Sequence, residues 1–373
     1  QINLATVNQG GLVRADSLVD RGGRILLDAG SAGSTNLGGT TQANGSLAGT
    51  VGGNIQALGQ TVKVLDGAQV QASGVAGGGT ILLGGDYQGS VANGVPQAQA
   101  MDIARTASVS ADATVRGDGG RIVAWSTGTT SVHGHLSSRG GPQGGDGGLI
   151  ETSGRTLDTS QIEVVAAAHS GMGKAGTWLL DPEFIYIVHG LAGGPLNGVT
   201  VTDGTLSNVL SSGTSVTLQA DGGAATGSGN IVVDDMGSNP VSIIHSGGSD
   251  VTLNLYALGN IIVKGQPPST IVAAIPPRPV YIRSSNGRLN VNMWAGYGGT
   301  GTGGQIELGD YVQIDTRGGN FSLAAPNDNS ALGAINITGG NTYVNTAGGD
   351  IRLEGRNVEA SQSAAVRIFN ASL

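Results

Sequence analysis

The chain has 373 residues, 68 of them glycine, 11 proline and none cysteine, and its 18 basic against 26 acidic side chains leave a formal charge of −8. The glycines keep no three-residue period and bring too little proline for collagen. The three lysines, Lys63, Lys174 and Lys264, build no basic patch interleaved with aromatics, so nucleic acid has no support as a partner; no run reaches the ~20 uninterrupted apolar residues of a membrane-spanning helix.

Along the first half a glycine doublet, or its relic, stands one residue before a large apolar side chain. The copies are Gly22-Gly23-Arg24-Ile25, Gly52-Gly53-Asn54-Ile55, Gly78-Gly79-Thr80-Ile81, Gly119-Gly120-Arg121-Ile122, Gly147-Gly148-Leu149-Ile150 and Ala175-Gly176-Thr177-Trp178, at intervals of 30, 26, 41, 28 and 28 residues. A unit that returns at a near-fixed period is a stacked coil, burying its apolar face against its neighbours. Within one unit, residues 54–58, 62–65 and 68–72 alternate apolar and polar between turns at Gly59 and Asp66-Gly67, the signature of half-buried strands. Three strands per ~26-residue turn predict an all-β fold, a three-sided parallel β-helix, with doublet glycines turning the corners, often through positive φ.

The 41-residue interval holds an excursion at 86–101, with Tyr87, Asn93-Gly94 and Pro96, that reads as a loop leaving the shaft. After Asp181-Pro182 the doublets thin out but alternation continues, in 251–255, 289–293, 306–308, 312–314, 335–337 and 351–353. Two sections follow, 1–182 and 183–373. A second loop at 266–280 carries five prolines, whose missing N–H keeps them out of a ladder. Gln1 to Leu4 reads as the middle of a strand, with neither leader nor cap, so the chain is expected to be a segment of a longer fibre.

The succession Gly119-Gly120-Arg121-Ile122-Val123-Ala124-Trp125-Ser126, Gly134-His135-Leu136-Ser137-Ser138-Arg139-Gly140-Gly141, Gly147-Gly148-Leu149-Ile150-Glu151-Thr152-Ser153-Gly154 and Gly176-Thr177-Trp178-Leu179-Leu180-Asp181-Pro182 resembles the large exoproteins of two-partner secretion, the filamentous-haemagglutinin-type adhesins. The resemblance is concentrated in 119–182 and looser elsewhere. It implies a right-handed parallel β-helix, secreted to the outer surface of a Gram-negative bacterium through an outer-membrane partner transporter. It also implies adhesion to cells, surfaces or matrix polysaccharide. The family's secretion domain is not matched, since Asn239-Pro240 lacks its context, and the chain is similar to the fibre that follows it.

Enzymes on β-helices need clustered carboxylates on one face. Asp234-Asp235 is the only adjacent acidic pair and reads as a turn. His133 and His135, two apart, would share a strand face but read as a solvated pair. Asp118 and Asp146, one repeat apart in Gly-Asp-Gly settings, would stack at one corner; they are the candidates for Ca2+, with ordinary Asp-Gly turns as the competing reading and no other cofactor expected. Trp178 reads as core, whereas Trp294 with Tyr297 could be either core or a sugar-stacking platform. The expectation is a non-enzymatic adhesin shaft binding extracellular polysaccharide or a cell surface, with Tyr87, Arg278, Trp294 and Tyr297 as ligand-binding candidates and the loops 86–101 and 266–280 as recognition elements. A carbohydrate-active enzyme and a purely structural spacer are the alternatives.

Overall fold

The computed structural model describes residues 6–15, 23–169, 171–190, 198–222, 229–234, 239–267, 277–298, 304–328, 334–357 and 365–373, with side chains of 326–328 and 357 excepted. The reading of Gln1 to Leu4 as strand therefore lies outside the described residues, as do Asp235 and the centre of the proline-rich loop. Extended chain dominates: among the described residues there is one α-helix, α1 (Asp203–Ser211), and one 3-10 turn, Tyr87–Gly89. The strands fall into two units, Gln1–Asp181 with Ser212–Ser215, and Pro182–Ser211 with Val216–Leu373.

In the first unit every ladder is parallel and three ladders run side by side. One stacks Arg24–Asp28, Asn54–Leu58, Thr80–Leu83, the start of Arg121–Val132, the start of Leu149–Asp158, and Thr177–Asp181. The second stacks Thr6–Gln9, Ser34–Leu37, Thr61–Val64, Ala100–Ile103 and the far end of Arg121–Val132. The third runs from Leu12–Arg14 to Glu163–Val165. Three strands per coil make this a parallel β-helix. Its register repeats the doublet intervals: Ile25, Ile55, Ile81, Ile122, Ile150 and Trp178 form one column, each at most 5% exposed. Fully burying such side chains is worth about 1.5–3 kcal/mol apiece.

The doublet glycines serve a different purpose from the one expected. None of those described has a positive φ. Instead the second glycines lie on one another: Thr80, Arg121 and Leu149 donate their amides to the carbonyls of Gly53, Gly79 and Gly120 at 2.9, 2.8 and 3.0 Å. A Cβ on Gly79, Gly120 or Gly148 would sit 2.1, 2.0 or 2.2 Å from the carbonyl oxygen of the coil before. The requirement is close approach of backbones. Positive φ is found at other turns, such as Gly67 at 74°.

The second unit repeats the plan. Ser215–Ala220 from Val216 onward, Val251–Ala257, Leu289–Ala295, Phe321–Asp328 and Ile351–Asn357 form one ladder. Ile185–Val188, Ile231–Val233, Ile261–Val263 and Ile306–Leu308 lead a second, and Ser242–His245, Val280–Ser284 and Val312–Asp315 a third. The alternating apolar sets face inward, with Val251, Leu253, Leu255, Leu289, Val291 and Met293 all buried. Ile351 departs from this expectation at 38% exposed; its strand is the last of its ladder among the described residues. Val280 begins a strand, so the proline-rich loop ends at Pro279, where Gln266 and Arg278 exchange backbone bonds of 2.8 and 2.9 Å.

Helix α1 stands where the third ladder would have a preceding strand. Asp203, Ser207 and Ser211, four residues apart on one face, accept the amides of Ser242, Ile244 and Ser246 at 2.7, 2.9 and 2.9 Å. Three side chains thus stand in for a strand's carbonyls along an open edge. Thr202 caps the helix, its hydroxyl accepting from the Thr205 amide at 3.1 Å.

Candidate functional site

The outer face of the second unit's long ladder gathers three aromatic rings. Alternation in Val251–Ala257 sends Thr252, Asn254 and Tyr256 outward, and in Leu289–Ala295 it sends Asn290, Asn292 and Trp294 outward. The register sets Tyr256 opposite Trp294 and Asn254 opposite Asn292. Tyr297 follows the corner at Gly296 (φ 72°), its amide bound to the Ala257 carbonyl at 2.9 Å. Its ring stacks on Tyr256 at 5.0 Å between centroids and meets Trp294 edge-on at 5.2 Å, both within the favourable range for aromatic pairs. Trp294 is 40% exposed. Burial and the neighbouring Tyr297 raise the Tyr256 phenol's pKa, so it keeps its proton as a donor.

Beside this shelf runs a polar row. Asn292 donates to the Asn254 carbonyl oxygen at 2.9 Å and Asn254 to the Thr217 hydroxyl at 3.0 Å. Each bond joins neighbouring coils and holds the amides in fixed orientation. The outward positions of the two strands are Thr, Asn, Tyr and Trp, with no charge among them. Tyr256 is the member that sequence reasoning passed over. Its signal was present: it falls two residues beyond Asn254 in the same alternation, at the place Trp294 occupies one coil later.

The other predicted residues lie apart from the shelf. Arg278 is half-buried at the corner between Ile261–Val263 and Val280–Ser284, on a different edge of the coil. Tyr87 belongs to the first unit, where it packs half-buried against Leu58, Leu82, Val95 and Val123 with the Arg121 guanidinium 5.6 Å from its ring centroid. Asp118 and Asp146 stack at one corner as expected, but Oδ1 of each accepts a backbone amide of the next coil, from Asp146 and Lys174, both at 2.8 Å. Each therefore acts as a corner clamp. His133 and His135 do not share a strand face: the corner at Gly134 separates them, His133 bonding the Ser160 carbonyl at 2.7 Å and His135 lying 3.4 Å from Glu163. Trp178 is fully buried, with its indole donating to Thr152 at 3.0 Å.

Asp234 lines an open cleft of about 370 Å³ with Gln266, Glu307 and Asp310, in which Lys264 pairs with Glu307 at 2.9 Å. The Asp310 carboxylate accepts the Gly340 amide at 3.0 Å. Among the described residues no group of three or more His, Asp or Glu is arranged to hold a metal, and no helix is long and apolar enough to cross a membrane. Neither a protein-family model nor a curated protein matches the chain.

Proposed function

We propose that this chain is the shaft of a secreted bacterial surface or biofilm-matrix adhesin, and that it binds a polysaccharide on the shelf of Tyr256, Trp294 and Tyr297. The observation that carries the reading is an outward-facing aromatic cluster, with Trp294 exposed and Tyr256 and Tyr297 half-buried, beside an ordered row of Asn and Thr side chains. An aromatic face takes the C–H face of a sugar ring, and oriented amides and hydroxyls match its hydroxyl groups. The absence of charge at the outward positions favours a neutral glycan over a uronate. The resemblance of residues 119–182 to two-partner secretion exoproteins supports export through a partner transporter and placement outside a Gram-negative cell.

Glycan-array binding by the purified chain tests this. Trp294→Ala is expected to weaken binding of neutral glycans about tenfold or more, the worth of one or two lost ring contacts, while far-UV circular dichroism stays unchanged. Binding that survives both Trp294→Ala and Tyr297→Ala, or that is confined to acidic glycans, removes the shelf from the account.

A further inference from the structure

The 41-residue interval does not project from the first unit; it folds back on it. Leaving Leu83 and returning at Ala100, the segment closes over outward side chains of the first ladder, which elsewhere would face water. Leu58, Leu82 and Val123 are each at most 4% exposed beneath it. The Trp125 indole lies directly under two glycines: a Cβ on Gly85 would be 2.8 Å, and one on Gly89 2.4 Å, from its ring atoms. The segment also ties itself. Asp86 accepts from the Tyr87 amide at 2.7 Å and the Asn93 amide group at 2.8 Å, and the Gln97 side chain donates to the Gly89 carbonyl.

One group of the shaft holds the strap. Glu151 points outward from Leu149–Asp158, in register with Val123 and Leu179, and is fully buried. Both its carboxyl oxygens lie 3.0 Å from the amide nitrogen of Gln88. Gln88 is itself in the left-handed region, φ 51°, and its amide meets the shaft at Glu151. The groups facing Glu151 are Asp86 from the strap, Arg121 from the preceding coil and Ser153 on its own strand; the next coil brings uncharged Leu179 opposite it and Asp181 opposite Ser153.

We infer that residues 86–97 form a pH-responsive strap, held closed over an apolar outer face while Glu151 is neutral and loosened when Glu151 ionises. Burial, the largest cause, raises the Glu151 pKa from 4.5 to about 7, against the opposing effect of the Gln88 amide, Ser153 and Arg121. In the open strap the carboxyl meets water and its pKa falls back toward the ordinary 4.5 as burial is relieved. Closure is therefore fully favoured below 4.5, weakens as the pH rises, and reaches its weakest just above 7, a change in the closing equilibrium on the order of a hundredfold. Opening bares Leu82, Val123 and Trp125 to solvent.

Hydrogen exchange at the Gln88 amide reads that equilibrium directly. The Gln88 amide is bonded to the shaft, at Glu151, only in the closed form, whereas the Gly89 and Ser90 amides bond the Asp86 and Tyr87 carbonyls inside the strap itself. After correction for intrinsic exchange, the opening constant at Gln88 should rise on the order of a hundredfold between about pH 4.5 and about pH 8, with shaft amides such as Ile122 unchanged. Glu151→Gln keeps the shape and cannot ionise, so its strap should remain protected and pH-independent. A flat profile in the unmodified chain overturns the proposal, and so does an unaltered rise in Glu151→Gln. If that variant does not fold, the midpoint of the unmodified chain's profile decides: near neutrality it supports Glu151, and near the ordinary carboxylate range it contradicts it.

Discussion

A methyl group on Gly120 would lie 2.0 Å from the Gly79 carbonyl oxygen, whereas one on Gly67 would meet nothing within 4 Å. The two glycines thus answer to different constraints, close approach at Gly120 and a φ of 74° at Gly67. Gly120→Ala must push two coils apart and should cost about 1–3 kcal/mol or more, as overpacking does; Gly67→Ala should cost about 1–2 kcal/mol through its left-handed backbone alone. Denaturant midpoints at constant m-value check the order, and equal losses would dismiss it. The doublets were legible as a rhythm, but their reason was not, because spacing shows where backbones recur and not how near they come. His245 has the opposite pH sign to Glu151. Burial, the first cause, lowers its pKa from 6.5, and the neutral ring bonds the Ser249 carbonyl at 2.8 Å. Its contribution is complete above 6.5 and falls away as the pH drops toward the lowered folded value. Melting curves should show an acid loss below about pH 6.5 that is reduced in His245→Gln, whose side-chain amide can still donate to Ser249.

Among the elements, strands announced themselves and their coverings did not. The runs 306–308 and 312–314 alternate because one face is core and the other is water, and they are strands at those places, as is 54–58, whose outward Leu58 lies under the strap. Ile122-Val123-Ala124-Trp125 breaks alternation because a strap covers its outer face, and that break, with Ile81-Leu82-Leu83, was the available sign that residues 86–97 fold back. Helix α1 left a fainter trace. Asp203-Gly204-Thr205 opens like a turn, and its helical state depends on the edge that Asp203, Ser207 and Ser211 satisfy, a tertiary requirement that local propensity does not carry. Asp203→Ala leaves the Ser242 amide and the His189 ring, 2.9 Å away, without their acceptor. It should destabilise the second unit by about 1–3 kcal/mol and raise exchange at Ser242 above that at Leu253. Ser207→Ala should do the same more weakly at Ile244.

Among the described residues the chain forms two sets of stacked coils, each with three parallel ladders, and the aromatic shelf stands on an outer face of the second. The glycine rhythm belongs to the first set and ends at Gly176; the second keeps the fold by alternation alone. The candidate site follows that division. Trp294 and Tyr297 could be picked out as aromatics but not assigned to core or surface, since that depends on whether position 294 shares a face with Asn292 or with Met293. The register of Leu289–Ala295 settles it, with Met293 inward and Trp294 outward. A crystal structure of the chain soaked with an oligosaccharide from the tightest-binding glycan shows whether Tyr256, Trp294 and Tyr297 hold the sugar. A sugar ring is expected to pack on Trp294 and Tyr297 with hydroxyls on Asn254 and Asn292; a sugar bound instead on the strap, on the Asp234 cleft or along the glycine corners would rule the shelf out.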